Sequence, residues 1–281
     1  MNSIHGTSLF LPFHRYFIRL FEQHLQAIDA TVFLPYWDWS RASIYQDPQS
    51  GLVFSSSALG SVTALLNSNT GYCLNIGDGS GSTYQLSNSG DSNCVQRLGG
   101  TDSSGFYTGR IGGPLTAPNV IDSYTTSASL DSFNTYAKVI EYIHGDVHVK
   151  CGGDMSHLNT SPKDPLFFFH HANVDRFWSN WQSYDNYRRQ FAYASSTSDK
   201  LVEFTTVTVA SVLDHQNSLC YSYQPPASGF EAQSEPAQTQ EALPEEWHSM
   251  IFSSPEEAND ILSTIASITQ SVNDDLAANG N

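Results

Sequence analysis

The sequence predicts a mainly α protein with long irregular loops and a few short strands, on three observations. Apolar residues recur at spacings of three and four in two separate stretches, 9–29 and 131–148. A third stretch opens with Asp164-Pro165, an N-cap type followed by proline at a first helical position. The 46–130 region between the first two is rich in Gly, Ser, Asn and Thr and holds no regular period.

In chain order, Leu9, Phe13, Phe17, Leu20, Phe21 and Leu25 mark one face of a first helix over 9–29. Thr31–Trp39 is short, aromatic and closed by a turn, as expected of a strand or extended segment. The 46–130 region reads as one long irregular connection, and long irregular regions in compact enzymes are often binding loops. A second helix is expected over 131–148, with Phe133, Tyr136, Val139, Ile140 and Ile143 as its apolar stripe. The turn at Cys151-Gly-Gly-Asp and the Ser-Pro at 161–162 separate it from a third helix running from Asp164-Pro165 to about Tyr187. Phe204–Leu213 alternates β-branched residues and is expected to be extended. The chain then becomes rich in Pro, Glu, Gln and Ser. The division predicted is a catalytic unit over 1–224, a linker over 225–242 and a helical tail over 243–281, whose Leu243–Ser271 stretch forms one or two docking helices.

A chain of 281 residues is long enough for one sizeable core or two domains. Its net charge of −16 argues against nucleic acid and anionic membranes as partners. No apolar run approaches the roughly 20 residues needed to span a bilayer. The first residues show no basic region, apolar stretch and small-residue cleavage site, so a cytoplasmic location is expected for the sequence as given, and secretion if a leader precedes it. Cysteines stand at 73, 94, 151 and 220 without a CxxC pair, which argues against a zinc knuckle. Cys73 and Cys94 are close enough in sequence to bridge a loop; the alternative is that all four are buried thiols.

The chemistry concentrates in two histidine clusters. His144 and His148 are four residues apart and project from one helix face, with His170 and His171 on the next helix. A third imidazole beside that pair gives three ligands and an open position, the arrangement of a catalytic metal. Adjacent helix positions point apart, so only one of His170 and His171 is expected to ligate. Asp175, one turn after His171, is placed to orient an imidazole as an outer carboxylate. The other cluster, His5 and His14, is too small to hold a metal alone.

Several long stretches carry a resemblance. His5-Gly-Thr-x-Leu-Phe-Leu-Pro-x-His14-Arg15-Tyr16 with Pro35-Tyr-Trp-Asp-Trp39 resembles the first copper motif of the tyrosinase, catechol oxidase and haemocyanin family. Asp164-Pro-x-Phe-x-x-His170-His171-x-Asn-x-Asp175-Arg-x-Trp178 resembles its second, and Leu219-Cys-Tyr221-Ser-Tyr223 is similar to its closing tyrosine motif. The match covers about residues 3–224, and among subfamilies the chain most resembles the short fungal enzymes of secondary metabolism.

The resemblance implies a four-helix bundle with two coppers, CuA and CuB, each held by three histidines. His144, His148 and His171 match the CuB ligands, His5 and His14 the second and third CuA ligands, and His170 a non-ligating neighbour. Arg15 is implied to pair with the tyrosine motif of Tyr221 and Tyr223, and Phe167 to pack over the site. Three positions depart from the pattern. Only four residues precede His5, where the first CuA ligand is expected further upstream. Ser3 stands where many members have a thioether cysteine. Gly145 follows the first CuB histidine where good monophenol hydroxylases often carry Asn, which favours o-diphenols. His24, His157, His215 and His248 fall outside the motifs, with His157 the nearest to CuB.

Three functions compete. The first is a dicopper oxidase turning o-diphenols into o-quinones with dioxygen. The second is a single-metal enzyme using zinc at the CuB histidines as a Lewis acid, similar to fungal cyclopenase-type conversion of a benzodiazepine alkaloid into a quinolone. The third is a non-catalytic relative that binds metal structurally. The partner expected is a small aromatic or phenolic substrate, and an oligomer is possible.

Overall fold

The computed structural model describes residues 4–42, 52–54, 58–65, 72–75, 95–97, 113, 115–225, 236–238 and 241–279. Its framework is helical. α1 (Phe10–Ile28) buries its first half, from Phe10 to Arg15 and again at Ile18, and lets its second half run out to solvent. Proline at position 12 is tolerated because it falls in the first turn, where no backbone donor is needed. After α1 the chain turns at Ala30–Thr31 and reaches α2 (Trp39–Ala42) without forming a strand. It is fastened to another helix, since the Trp37 amide donates to the Phe169 carbonyl at 3.0 Å.

The 46–130 region holds more order than its composition suggests. β1 (Ser61–Leu65), β2 (Tyr72–Asn75) and β3 (Gln96–Arg97) form a small antiparallel sheet in that order. α3 (Pro118–Thr126) follows, with proline at its start and Val120, Ile121 and Tyr124 buried. Nine residues with so few apolar positions carry too weak a period to stand out in sequence. The bridging of Cys73 to Cys94 lies outside the described residues. Of the other two cysteines Cys151 is buried, while Cys220 is exposed, which corrects the expectation of four buried thiols.

α4 (Phe133–Cys151) and α5 (Leu166–Tyr187) form the centre of the molecule. α4 ends at Gly152 with φ +66°, whose amide returns to the His148 and Val149 carbonyls. Gly153 follows at φ +58°, and a Cβ there would sit 2.2 Å from the Gln96 carbonyl, so only glycine lets β3 come this close. Asp164 caps α5 by accepting the Leu166 amide at 2.8 Å, and is held by Arg97 from β3 through two 2.6 Å hydrogen bonds. Regular α5 geometry stops earlier than predicted. Tyr184 leaves the helical region, and Asp185 and Asn186 are left-handed.

Lys200–Leu201 (β4) and Phe204–Thr208 (β5) make a hairpin, and the chain then turns into α6 (Ala210–Leu213) and α7 (His215–Ser218). Phe204–Leu213 is therefore half strand and half helix. The C-terminal stretch forms two helices, α8 (Glu245–Ile251) and α9 (Pro255–Asn279). α9 packs on α3 and α4, and α8 on α4. α9 buries Ala258, Ile261, Ile265, Ile268 and Val272, a three-and-four spacing that explains why it docks. No described helix is long and apolar enough to cross a membrane.

Candidate metal centre

The two histidine clusters of the sequence are one cluster in space. His5 comes from the turn before α1 and His14 from α1 itself; α4 supplies His144 and His148, and α5 supplies His170 and His171. All six are buried. The His14 ring stacks on His171 at 4.2 Å between centroids and 12° between planes. His5 stacks on His144 at 5.9 Å and lies 5.2 Å from His14. Within the larger group, one nitrogen from each of His144, His148, His170 and His171 falls within 4.8 Å of all the others. His148 Nε2 and His171 Nε2 are 3.3 Å apart. That matches the ~3.3 Å edge of a tetrahedron built from metal–imidazole bonds of roughly 2.0–2.1 Å.

Protonation follows from the hydrogen bonds. A carbonyl oxygen can only accept, so an imidazole nitrogen bonded to one must carry the proton. His14 Nδ1 donates to the Phe10 carbonyl at 2.9 Å, His144 Nδ1 to Glu141 at 3.1 Å, and His148 Nδ1 to Met155 at 2.7 Å. Each of these rings therefore presents Nε2 as a lone pair, the form a metal ligand needs. Burial keeps them uncharged: it lowers the His14 and His148 pKa values to about 3 and that of His5 to about 4. His144, His170 and His171 are driven well below the usual histidine value, again chiefly by burial.

Some of these nitrogens are buried without a hydrogen-bond partner: His144 Nε2, His171 Nδ1 and both ring nitrogens of His170. A buried polar atom left unpaired costs free energy, about 1–3 kcal/mol, and at His144 Nε2, the lone pair left by the Nδ1 bond to the Glu141 carbonyl, a bound cation would remove that cost. A soft or borderline cation bound by neutral imidazoles fits this donor set.

The surroundings correct one expectation. Asp175 orients no imidazole. Its Oδ1 accepts Arg15 Nε at 2.6 Å, and its Oδ2 accepts the hydroxyls of Tyr221 and of Tyr223, the latter at 2.7 Å. Arg15 thus meets the tyrosine pair through Asp175, with its guanidinium 3.6 Å over the Trp178 ring. The carboxylate that does reach an imidazole is Glu141, unnoticed in the sequence. Its Oε1 lies 3.1 Å from His5 Nδ1 and accepts the Gly6 amide at 2.8 Å, and burial pushes its pKa up to about 8. The available signal was its position three residues before His144, an acid inside an otherwise apolar helix.

Aromatic rings wall the cluster. Phe167 lies 4.2 Å from the His171 ring centroid, and Phe10 is 4.8 Å from His144. Trp247 from α8, which no sequence pattern singled out, stacks on His148 at 5.3 Å and 27° and donates its indole N–H to the Ser156 carbonyl. Gly145 makes room for it: a Cβ there would sit 3.0 Å from Trp247 and 3.2 Å from Leu243. His24 and His157 are exposed. His215 is bonded to Ser179, and His248 packs on Phe252. None of these four joins the cluster.

Residues 1–184 match the family described as the common central domain of tyrosinase. A tyrosinase of Streptomyces lincolnensis is 33% identical over 186 residues, which are 63% of this chain and 64% of that protein. The latent chloroplastic polyphenol oxidase of Prunus armeniaca is 26% identical over 246 residues, 79% of this chain and 38% of its own length. The chain therefore spans less than two thirds of the length of either relative. A solved polyphenol oxidase of Thermothelomyces thermophila is similar in fold, with a TM-score of 0.52 and 22% identity, covering 79% of this chain and 74% of that one.

Proposed function

The chain belongs to the tyrosinase family, and from that premise we propose that it is a copper oxidase that converts small o-diphenols to o-quinones with dioxygen. In this reading His144, His148 and His171 hold one ion, and His5 and His14 are ligands of a second. When bound, a copper pair carries two electrons from diphenol to dioxygen.

The observation that carries the proposal is the convergence of buried, neutral imidazoles, three of which (His14, His144 and His148) have their Nδ1 protons tied to backbone carbonyls. The protein's own contribution is positional. Helix α4 fixes His144 and His148 one turn apart, and the Phe10, Phe167 and Trp247 rings keep water from the imidazoles. Such preorganisation removes most of the reorganisation a metal would otherwise require on binding. Gly145 leaves no polar side chain beside His144, which supports o-diphenols over monophenols as substrates. His170 is assigned no ligand role, since His171 is the ring that faces both His14 and His148.

One observation favours a second reading. The nitrogens that fall within 4.8 Å of one another come from α4 and α5 alone, which suits a single redox-inert zinc acting as a Lewis acid. Metal analysis of the purified protein together with a catechol-fed oxygen electrode separates the two. Two coppers per chain with catechol-dependent oxygen uptake is the expected result. One zinc with no uptake would replace the oxidase by the Lewis-acid enzyme.

A further inference from the structure

We propose that Glu141 is the positioning residue that makes His5 a ligand, an inference that rests on the reading of His5 as part of the metal centre. His5 is the one member of the cluster that sits on a turn instead of a helix, so its backbone does not fix its direction. What fixes it comes from α4. Glu141 Oε1 accepts the Gly6 amide at 2.8 Å and lies 3.1 Å from His5 Nδ1. Lys138, one turn earlier on the same helix face, donates to the Gly6 carbonyl at 2.9 Å. Two side chains at i and i+3 thus grip both ends of the Gly6 residue, and one of them also holds the neighbouring imidazole.

The shared oxygen selects the tautomer. An ionised Glu141 can only accept, so with the carboxylate charged Oε1 takes the Gly6 amide proton and the His5 Nδ1 proton together. Nε2 is left with its lone pair, and the ring is turned so that it stacks on His144 and approaches His14. Without Glu141 the ring is free to exchange tautomers and to rotate about its side-chain bonds. Gly6 itself has φ +70°, and a Cβ there would lie 2.2 Å from the Met250 carbonyl, so α8 closes the other side of this turn. The grip from α4 and the wall from α8 leave the turn one position.

The test is a double-substitution cycle read by cobalt(II) titration of the metal-free protein, with E141L, H5A and the pair combined. E141L is expected to weaken cobalt binding by about 10–100-fold, the usual effect of losing an outer partner of a ligand. The combined variant should bind no more weakly than H5A alone, because Glu141 acts through His5. E141Q, which keeps an acceptor oxygen, should stay within about threefold of wild type on the same scale. Additive losses, or an E141L protein that binds as wild type does, would overturn the proposal.

Nitrogen-15 histidine spectra of the metal-free protein give a readout independent of metal. His5 should show a protonated Nδ1 in wild type and E141Q and mixed tautomers in E141L. E141D, with its oxygen drawn back by one methylene, should be intermediate and replaces E141L if the latter does not fold. A wild-type protein that takes up no metal would remove the proposed function, while these spectra would still decide the role of Glu141.

Discussion

Asp175 shows how far a single residue can depart from what its spacing suggests. One turn after His171, it is a natural outer carboxylate for a metal-bound imidazole. Its oxygens are instead taken by Arg15 and by two tyrosines from the far end of the domain. Sequence spacing gives the face of a helix but not the partner that waits there. Replacing Asp175 by alanine leaves the Arg15 guanidinium buried without its counter-charge. Urea unfolding should then show a loss of about 3–5 kcal/mol; a loss under ~1 kcal/mol would mean that the network contributes little. The histidines, by contrast, were legible, because four-residue spacing on a helix directly implies a shared face. Between the adjacent pair, H171A should abolish tight metal binding at the α4–α5 group, while H170A should keep it. Metal content after dialysis decides, and the opposite ranking would exchange their roles.

Among the elements, α1, α4 and α5 were readable from their apolar periods, and α5 also from Asp164-Pro165. α3 was not, since a nine-residue helix shows too little period. α8 was visible as a helix but not as a neighbour of the histidine cluster, because nothing in Leu243–Ile251 indicates which surface it covers. In the structure it lays Trp247 over His148 and closes against two glycines, Gly6 and Gly145, each directly after a histidine of the cluster. Within the stretch predicted as a tail, α8 thus walls the histidine cluster, while α9 packs on α3 and α4. Asparagine at 145 has to displace Trp247 or Leu243, and such overpacking costs about 1–3 kcal/mol. G145N should lower the melting temperature and change tryptophan emission, whereas W247A should cost about 3–5 kcal/mol on its own. In a W247A background, G145N should become nearly neutral; an undiminished cost there would show that the indole is not what Gly145 accommodates.

For the molecule as a whole, burying so many imidazoles makes stability depend on pH. Their folded pKa values, about 4 for His5 and about 3 for His14 and His148, lie below the unfolded value near 6.5. Below that unfolded value the unfolded chain binds more protons than the native one. The stability is therefore fully present above about pH 6.5 and is lost as the pH falls toward the folded values, at up to about 1.4 kcal/mol per pH unit for each such group. Buried Glu141, raised to about 8, works in the opposite sense and offsets one such group. Three imidazoles outweigh it, so the metal-free protein should still melt at a lower temperature at pH 5 than at pH 7, and a flat profile would contradict the burial of neutral rings. Added metal should raise the melting temperature at pH 7, because only the native state gathers the ligands. Whether histidines from both sequence clusters hold metal together is decided most directly by anomalous diffraction at the copper edge from copper-loaded crystals. A peak is expected among the Nε2 atoms of His144, His148 and His171, with a second beside His5 and His14. Peaks elsewhere in the molecule, or one centred on His170 with none near His148 and His171, would contradict that arrangement.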